Sequence, residues 1–414
     1  MKDFNHPWTS REDTLRLLLE RSQFQPRIET IPVRDSLGRI TAREAIARNT
    51  LPNSPASMLD GIAIKSANLS DELAVKIADL SAGIPGTESW QEGKDYVFCN
   101  TGVGIPDEFN TVVRIEDVEI DDDGRLRIMS KPQPGQNVRP EGSMMQSGKV
   151  LVPAYFQLGP GQLGLLTAGG ITEVAVLEKP RVAIIPTGNE LVPAGYKPPR
   201  GMNVEFNGTM IEAQVKTMGA EARLYPITHD DPQDIRNVLN DALDWADIVI
   251  LNGGSSKGTD DKAMEVLASI GEILVYEVDY GPGKHTTVTM VGTKPIVGTV
   301  GPTIGAEYAV EWYVLPLINK YLSLPTIAPR RLQVKLLDEI PAPTPFDFYA
   351  RLMVNRVNGT YVAKPTGSRN ASLVSQMMSN AVLHIPKASQ GFTAGEIVDV
   401  ELRYPLEWIN TIDE

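Results

Sequence analysis

The spacing of apolar positions changes several times along the chain, and each change predicts a different kind of element. Leu15, Leu18 and Leu19 share one helical face and Thr9 with Glu12 fits a capping box, so a helix of about three turns opens the chain. Strand-like segments follow around residues 29–33, with a turn at 35–38. From Asn53 to about Gly142 the pattern becomes short strands broken by Gly, Pro and Asp. It includes a hairpin signal in which residues 121–124 turn 118–120 back onto 126–128. Residues 149–178 return to the helix-and-strand style of the start.

Between Pro180 and Leu322 the texture is α/β. Strands at 182–185, 222–225, 248–251 and 272–278 alternate with helices near 204–218, 232–244 and 261–270, as βαβ units do. Ligands in such sheets sit beyond the carboxyl ends of the strands. Three polar loops fall at that edge: 187–190, 228–231 and 253–261. Pro325 and Pro329 with Arg330 and Arg331 mark a linker, after which 332–404 reads as short strands of a small β barrel or sandwich.

At 414 residues the chain is too long for one ordinary core, so about two to four domains are expected. A net charge of −13 argues against a nucleic-acid face and requires any anion to be held in a pocket. Cys99 is the only cysteine, which excludes an intrachain disulfide framework and a thiolate zinc cluster. The histidines His6, His229, His285 and His384 are scattered, so any metal is expected to be a hard cation on oxygen ligands. With no apolar leader and no long apolar run, the expected location is cytoplasmic, without membrane contact.

The candidate chemistry concentrates in DIVILNGGSSKGTDD, from Asp247 to Asp261. Its apolar run reads as a buried parallel strand; Gly253 and Gly254 then bare backbone amides to an anion, and Ser255, Ser256 and Lys257 add donors. Gly258 resets the chain and Asp260 and Asp261 add carboxylates, which predicts a site for a phosphorylated ligand with a divalent metal. Read alone, the same loop equally describes a turn whose Ser and Asp cap the next helix. The Asp60-Gly61 pair, alone, reads as a turn.

Taken together and in order, these stretches resemble the MoeA and gephyrin E-domain family, the molybdopterin molybdenumtransferases. The resemblance rests on SPASMLDGIA around Asp60, Thr101-Gly102, Pro106, Val112-Val113 with Glu116, PTGNEL from Pro186, Asn207, GGSSKGTDD and Pro282-Gly283-Lys284. It implies an elongated N-terminal domain (1–50 and 145–179), an inserted mostly-β domain (51–144), a three-layer molybdopterin-binding α/β domain (180–325) and a C-terminal β barrel (326–414). It also implies a homodimer whose cleft joins the α/β domain of one subunit to the β insert of the other. The implied reaction inserts molybdate into adenylylated molybdopterin with Mg²⁺, releasing AMP. Molybdopterin adenylyltransferase and recipient molybdoenzymes are the implied partners.

Within that frame the pterin phosphate falls to Gly253, Gly254, Ser255, Ser256, Lys257, Gly258, Pro282, Gly283 and Lys284, and Mg²⁺ to Glu190, Asp230 and Asp261, with Asp231 an alternative to Asp230. Asp60 and Thr101 match motif residues that act across the cleft. Arg351, Ser368 and Ser372 match a C-terminal arginine and G-S stretch that hold an anion. Each has a plainer reading as a helix cap, a turn or a solvated charge.

The chain departs from the family pattern at several motifs. Asn110 and Asn189 stand where the family has Asp, Ser143 and Met144 where it has an acidic pair, Gly281 where it has a basic residue, and His285 where it has proline. Thr299 to Gly305 keeps the glycine of L-P-G-N-P-V-S without its asparagine and serine. Fewer carboxylates predict weaker metal binding, and so leave a non-catalytic pterin-binding or hand-over paralogue as the alternative function. A nucleotide pyrophosphate hydrolase using Asp230 and Asp261 is a third reading.

Overall fold

The computed structural model describes residues 8–66, 73–74, 96–120, 122, 125–129, 132–195, 197–253, 262–325, 328–341, 345–366 and 372–412. It divides into two compact units, Ile28–Leu177 and Met1–Arg27 with Glu178–Glu414.

In the first unit, Ile28–Pro32 pairs antiparallel with Glu173–Leu177, and Val33, Val152, Leu158, Leu166 and Val176 form the adjoining core. A three-stranded sheet sets Gly61–Ile64 between Tyr96–Cys99 and Thr111–Arg114, with Ala63, Val97, Cys99, Phe109 and Val112 packed together. Burial there pushes the Cys99 thiol pKa up, which makes it a packing residue. The expected hairpin forms: Val118–Ile120 pairs with Arg125–Ile128 in the register Val118 to Ile128.

The second unit contains a six-stranded sheet in the order Glu221–Leu224, Arg181–Pro186, Ile248–Asn252, Lys294–Thr299, Thr287–Val291, Glu272–Val275. The first four strands run parallel, Thr287–Val291 runs antiparallel to both its neighbours, and Glu272–Val275 thus resumes the direction of the first four. All five residues of Ile248–Asn252 are buried, as its unbroken apolar run requires of a central parallel strand. Helices Pro232–Trp245 and Lys262–Ile270 supply Ile235, Leu239, Ala242, Val266 and Leu267 to one core with Ala183, Val249 and Leu251.

In the C-terminal part, Arg331–Leu336, Thr360–Pro365, Asp347–Val357, Ala381–Ile385 and Ile397–Leu402 close into a barrel. Short strands were expected throughout, but Asp347–Val357 is eleven residues long. Its length lets it pair with both Thr360–Pro365 and Ala381–Ile385, which closes the barrel and leaves no open edge between them.

The opening helix, Arg11–Arg21, is capped by Ser10, whose hydroxyl accepts from the Asp13 amide, and not by Thr9. Thr9 is already in use: it forms a parallel bridge with Val278, donating its amide to the Glu277 carbonyl and accepting from the Asp279 amide.

Candidate functional site

A cavity of about 1070 Å³ lies at the carboxyl ends of the parallel strands, the edge expected to bind ligand. Thr187 to Leu191, Asp230, Asn252, Gly253, Lys262 and the loops 281–285 and 300–303 line it, with Phe346 and Phe348 of the barrel.

Two buried asparagines hold its floor. Asn252, at the end of the central strand, donates from Nδ2 to Thr299 Oγ1 at 2.8 Å and to the Val300 carbonyl at 2.9 Å. Asn207 donates to the Gly301 carbonyl at 2.8 Å. Thr299 to Gly301 is thus held by side chains from two other elements. Gly253 has φ +97°, and a Cβ there would lie 2.4 Å from the Thr187 carbonyl oxygen, so only glycine lets the strand end pass this close.

The acidic loops are tied to each other. Asn189 donates its amide to Asp230 Oδ2 at 3.2 Å, and Asp230 donates its amide to Asn189 Oδ1 at 3.1 Å. An asparagine at 189 therefore satisfies a backbone amide through its side-chain oxygen while bringing Glu190 and Asp230 to one cavity. Asp231 is spent elsewhere, as the N-cap accepting from the amides of Gln233 and Asp234 at the head of Pro232–Trp245. Asp261 lies outside the described residues, as do Gly254, Ser255, Ser256, Lys257, Gly258 and Ser368. Among the described residues no three His, Cys, Asp or Glu side chains cluster as a ready metal site.

Another part of the lining is cationic and aromatic. Lys284 follows Pro282 and Gly283, and its Nζ sits 3.7 Å from the centre of the Trp8 ring and 5.7 Å from that of Phe346. Gly281 explains itself here: a Cβ would meet Phe346 at 2.6 Å, so a larger residue would displace the aromatic ring that flanks Lys284. His285 also lines the cavity.

Arg351 and Ser372 stand apart from this wall. Arg351 is 6% exposed, donates to Glu307 at 2.6 Å and does not line the cavity. Ser372 caps Leu373–Met377 by accepting from the Ser375 amide.

In the other unit, Asp60 and Thr101, named separately in sequence, meet. Asp60 Oδ1 accepts from the Thr101 amide at 2.7 Å and from its hydroxyl at 2.9 Å. Those bonds, the amide's foremost, hold the Asp60 carboxyl below the usual carboxylate range. Gly61, next in sequence, lets its strand lie close against Thr111–Arg114, since a Cβ there would lie 1.9 Å from the Val113 carbonyl oxygen. Asn110 is likewise structural: Oδ1 accepts from the Ser66 amide at 2.9 Å and Nδ2 donates to the Ser66 hydroxyl at 3.0 Å.

Sequence reasoning missed Trp8, Glu277, Asn252 and Phe346. Asn252 alone carried a signal, as the polar end of a fully apolar strand. Trp8 and Phe346 reach Lys284 only through tertiary contacts.

The parallel-stranded core with a cavity beyond its strand ends defines an α/β domain of the open-sheet class, and residues 183–320 match the family described as a probable molybdopterin binding domain. Residues 9–170 match the MoeA N-terminal region (domain I and II), and 333–402 the MoeA C-terminal region (domain IV). The chain belongs to the MoeA family. It is 28% identical over 375 residues to a molybdopterin molybdenumtransferase of Staphylococcus epidermidis, covering 89% of each chain. It is 26% identical over 400 residues to one of Staphylococcus aureus, covering 94% of each. The fold also matches a molybdopterin biosynthesis MoeA protein from Pyrococcus horikosii at a TM-score of 0.81, with 24% identity and coverage of 96% of this chain and 100% of that one. No helix among the described residues is long and apolar enough to cross a membrane.

Proposed function

We propose that this chain is a molybdopterin molybdenumtransferase that inserts molybdate into adenylylated molybdopterin and releases AMP. The observation that carries the reading is one cavity lined by Glu190 and Asp230, on loops tied through Asn189, together with Lys284 and His285. A phosphoanhydride ligand needs both kinds of wall, cations and amides for its phosphates and hard oxygens for a metal between them.

Glu190 and Asp230 fit magnesium by donor chemistry, both being carboxylates on loops that hydrogen bonds hold together; Asp261, next to the cavity-lining Lys262, is the proposed third ligand. Bound there, the ion would neutralise phosphate charge. Lys284, confined by aromatic faces, meets an anion with little loss of side-chain freedom. Gly253 lets the strand end turn while its own amide is taken by the Thr299 carbonyl, so the amides and side chains offered to the anion are proposed to come from Gly254, Ser255, Ser256, Lys257 and Gly258. Arg351, paired with Glu307, does not line the cavity.

Asp60 and Thr101 are proposed to act in a homodimer, across the cleft from the α/β domain, in a cytoplasmic enzyme that receives its substrate from molybdopterin adenylyltransferase. The Asp60 carboxylate, ionised and fixed by Thr101, is suited to orient a polar group of the substrate.

The test is AMP release from adenylylated molybdopterin, followed chromatographically with and without Mg²⁺ and molybdate. Release that needs both supports the transferase. Tight binding with the nucleotide intact would point to a carrier, and release without molybdate to a hydrolase.

A further inference from the structure

Glu277 touches His285 and Trp8 without itself lining the cavity. It lies in the segment between Glu272–Val275 and Tyr280–Gly281, and its side chain is only 14% exposed. One carboxylate oxygen, Oε1, is 2.7 Å from His285 Nδ1. The other, Oε2, accepts from Trp8 Nε1 at 3.0 Å. The backbone reinforces the arrangement: the bridge between Thr9 and Val278 fixes Trp8 beside Glu277, and the Val278 amide donates to the Lys284 carbonyl at 2.9 Å. A single carboxylate thus orients two side chains, one lining the cavity directly and one whose ring face confines Lys284.

We propose that Glu277 is a positioning residue that sets Nε2 of His285 and Nζ of Lys284 as a two-donor seat for a tetrahedral oxyanion in this cavity. A carboxylate accepting at Nδ1 requires the proton on that nitrogen, which leaves Nε2 as the atom offered to the cavity. When the ring carries both protons, Nε2 donates a charge-assisted bond to the oxyanion while Glu277 balances the charge behind it. Lys284 contributes the second donor, and the Trp8 face keeps its ammonium in place. The oxyanion is either a phosphate of the bound nucleotide or free molybdate. The inference rests on the proposed function for the identity of these ions, but not for the geometry of the seat.

Full-chain protein is titrated calorimetrically at pH 6.5 with inorganic phosphate, molybdate, AMP and adenosine, with the thermal midpoint recorded for every variant. H285A is expected to weaken the oxyanion that uses the seat by on the order of 10-fold and to leave adenosine unchanged. Loss confined to AMP and phosphate identifies a phosphate seat, and loss confined to molybdate a molybdate seat. E277Q is expected to weaken the same ion by about 3- to 10-fold, and by a smaller factor in the H285A background, where only its effect on Lys284 through Trp8 remains. W8F keeps an aromatic face but cannot donate to Glu277, and is expected to weaken the ion by a smaller factor at an unchanged melting temperature. Oxyanion binding in H285A equal to the parent, fully additive losses in the double variant, or no binding of any of the three ions by the parent overturns the proposal. AMP release by the parent is assayed separately: release with a silent H285A sinks only the seat, whereas no release with a weakened H285A sinks only the transferase reading.

Discussion

Glu307 accepts from Arg351 at 2.6 Å and also from Arg403, so one buried carboxylate is shared by two guanidinium groups. Glu307 belongs to Thr303–Ala309, the helix entered from the cavity loop at Gly301, whereas Arg351 lies in the barrel strand Asp347–Val357 and Arg403 just after Ile397–Leu402. The cluster is a fastening between the helix and the barrel. Arg351 Nε and Nη1 have no hydrogen-bond partner among the described residues, so Glu307 is the carboxylate bonded to both guanidinium groups. Replacing Glu307 with alanine strands one buried and one part-buried cation and should destabilise the protein by about 3–5 kcal/mol, whereas E307Q, which keeps an acceptor, should cost less. Urea unfolding measures both, and an alanine variant within about 0.5 kcal/mol of the parent would contradict the fastening.

The two neighbouring aspartates at 230 and 231 separate by role. D231A removes a helix cap and should cost about 1 kcal/mol with little change in magnesium affinity. D230A should do the reverse, leaving stability near the parent and weakening magnesium binding in a metal titration. Equal effects of the two substitutions on the metal would refute the assignment.

Glycine is required at 253 and only tolerated at 301. A Cβ at 253 collides with the Thr187 carbonyl at a positive φ, but one at 301 meets nothing within 4 Å. G253A should therefore lose more than about 2 kcal/mol and ligand binding with it, while G301A should stay within about 0.5 kcal/mol. Thermal melts of the pair provide the comparison.

Thr101 sets the ionisation of Asp60. T101A removes the hydroxyl donor but keeps the amide, the larger cause, so the Asp60 pKa should rise part of the way towards its ordinary value. The sign follows from a depressed carboxylate: its contribution to stability is present above the unfolded pKa and lost as pH falls through the folded one. In T101A that contribution should be smaller and its loss complete at a higher pH, while the onset, set by the unfolded chain, stays where it was. Carbon-detected NMR titration of the Asp60 carboxyl reads the shift, and an unchanged midpoint would exclude a role for the hydroxyl.

The α/β alternation was legible because a buried parallel strand and an amphipathic helix leave different periods, and Ile248–Asn252 is unambiguous on that score. Asp60 and Thr101 were legible as motifs, but their direct contact was not. What stayed hidden depends on partners distant in sequence. Thr9 lost its capping role to a bridge with Val278, and the span of Asp347–Val357 is fixed by strands on both sides. Nothing around Arg351 in sequence points to Glu307, nor does anything near Lys284 point to Trp8. Asn110 and Asn189, which read as missing acids, are turn residues whose side-chain oxygens satisfy backbone amides.

Where the chain leaves the larger unit after Arg27 and returns at Glu178, the two crossing points are bound together. The Arg27 guanidinium donates to Glu178 at 2.8 Å and to both oxygens of Asp247 at 2.9 Å, and the Glu178 amide donates to the Arg27 carbonyl. Ile28 and Leu177, the next residues outward, are already register partners. Topologically, residues 28–177 are a cassette spliced into a host whose cut ends never separate. The host bears almost no loop-closure cost for carrying it, and a short turn joining Arg27 to Glu178 should leave the α/β sheet and barrel able to fold alone. By the same reasoning, the inserted unit can change length or sequence while the cavity at Asn252 and Gly253 keeps its shape.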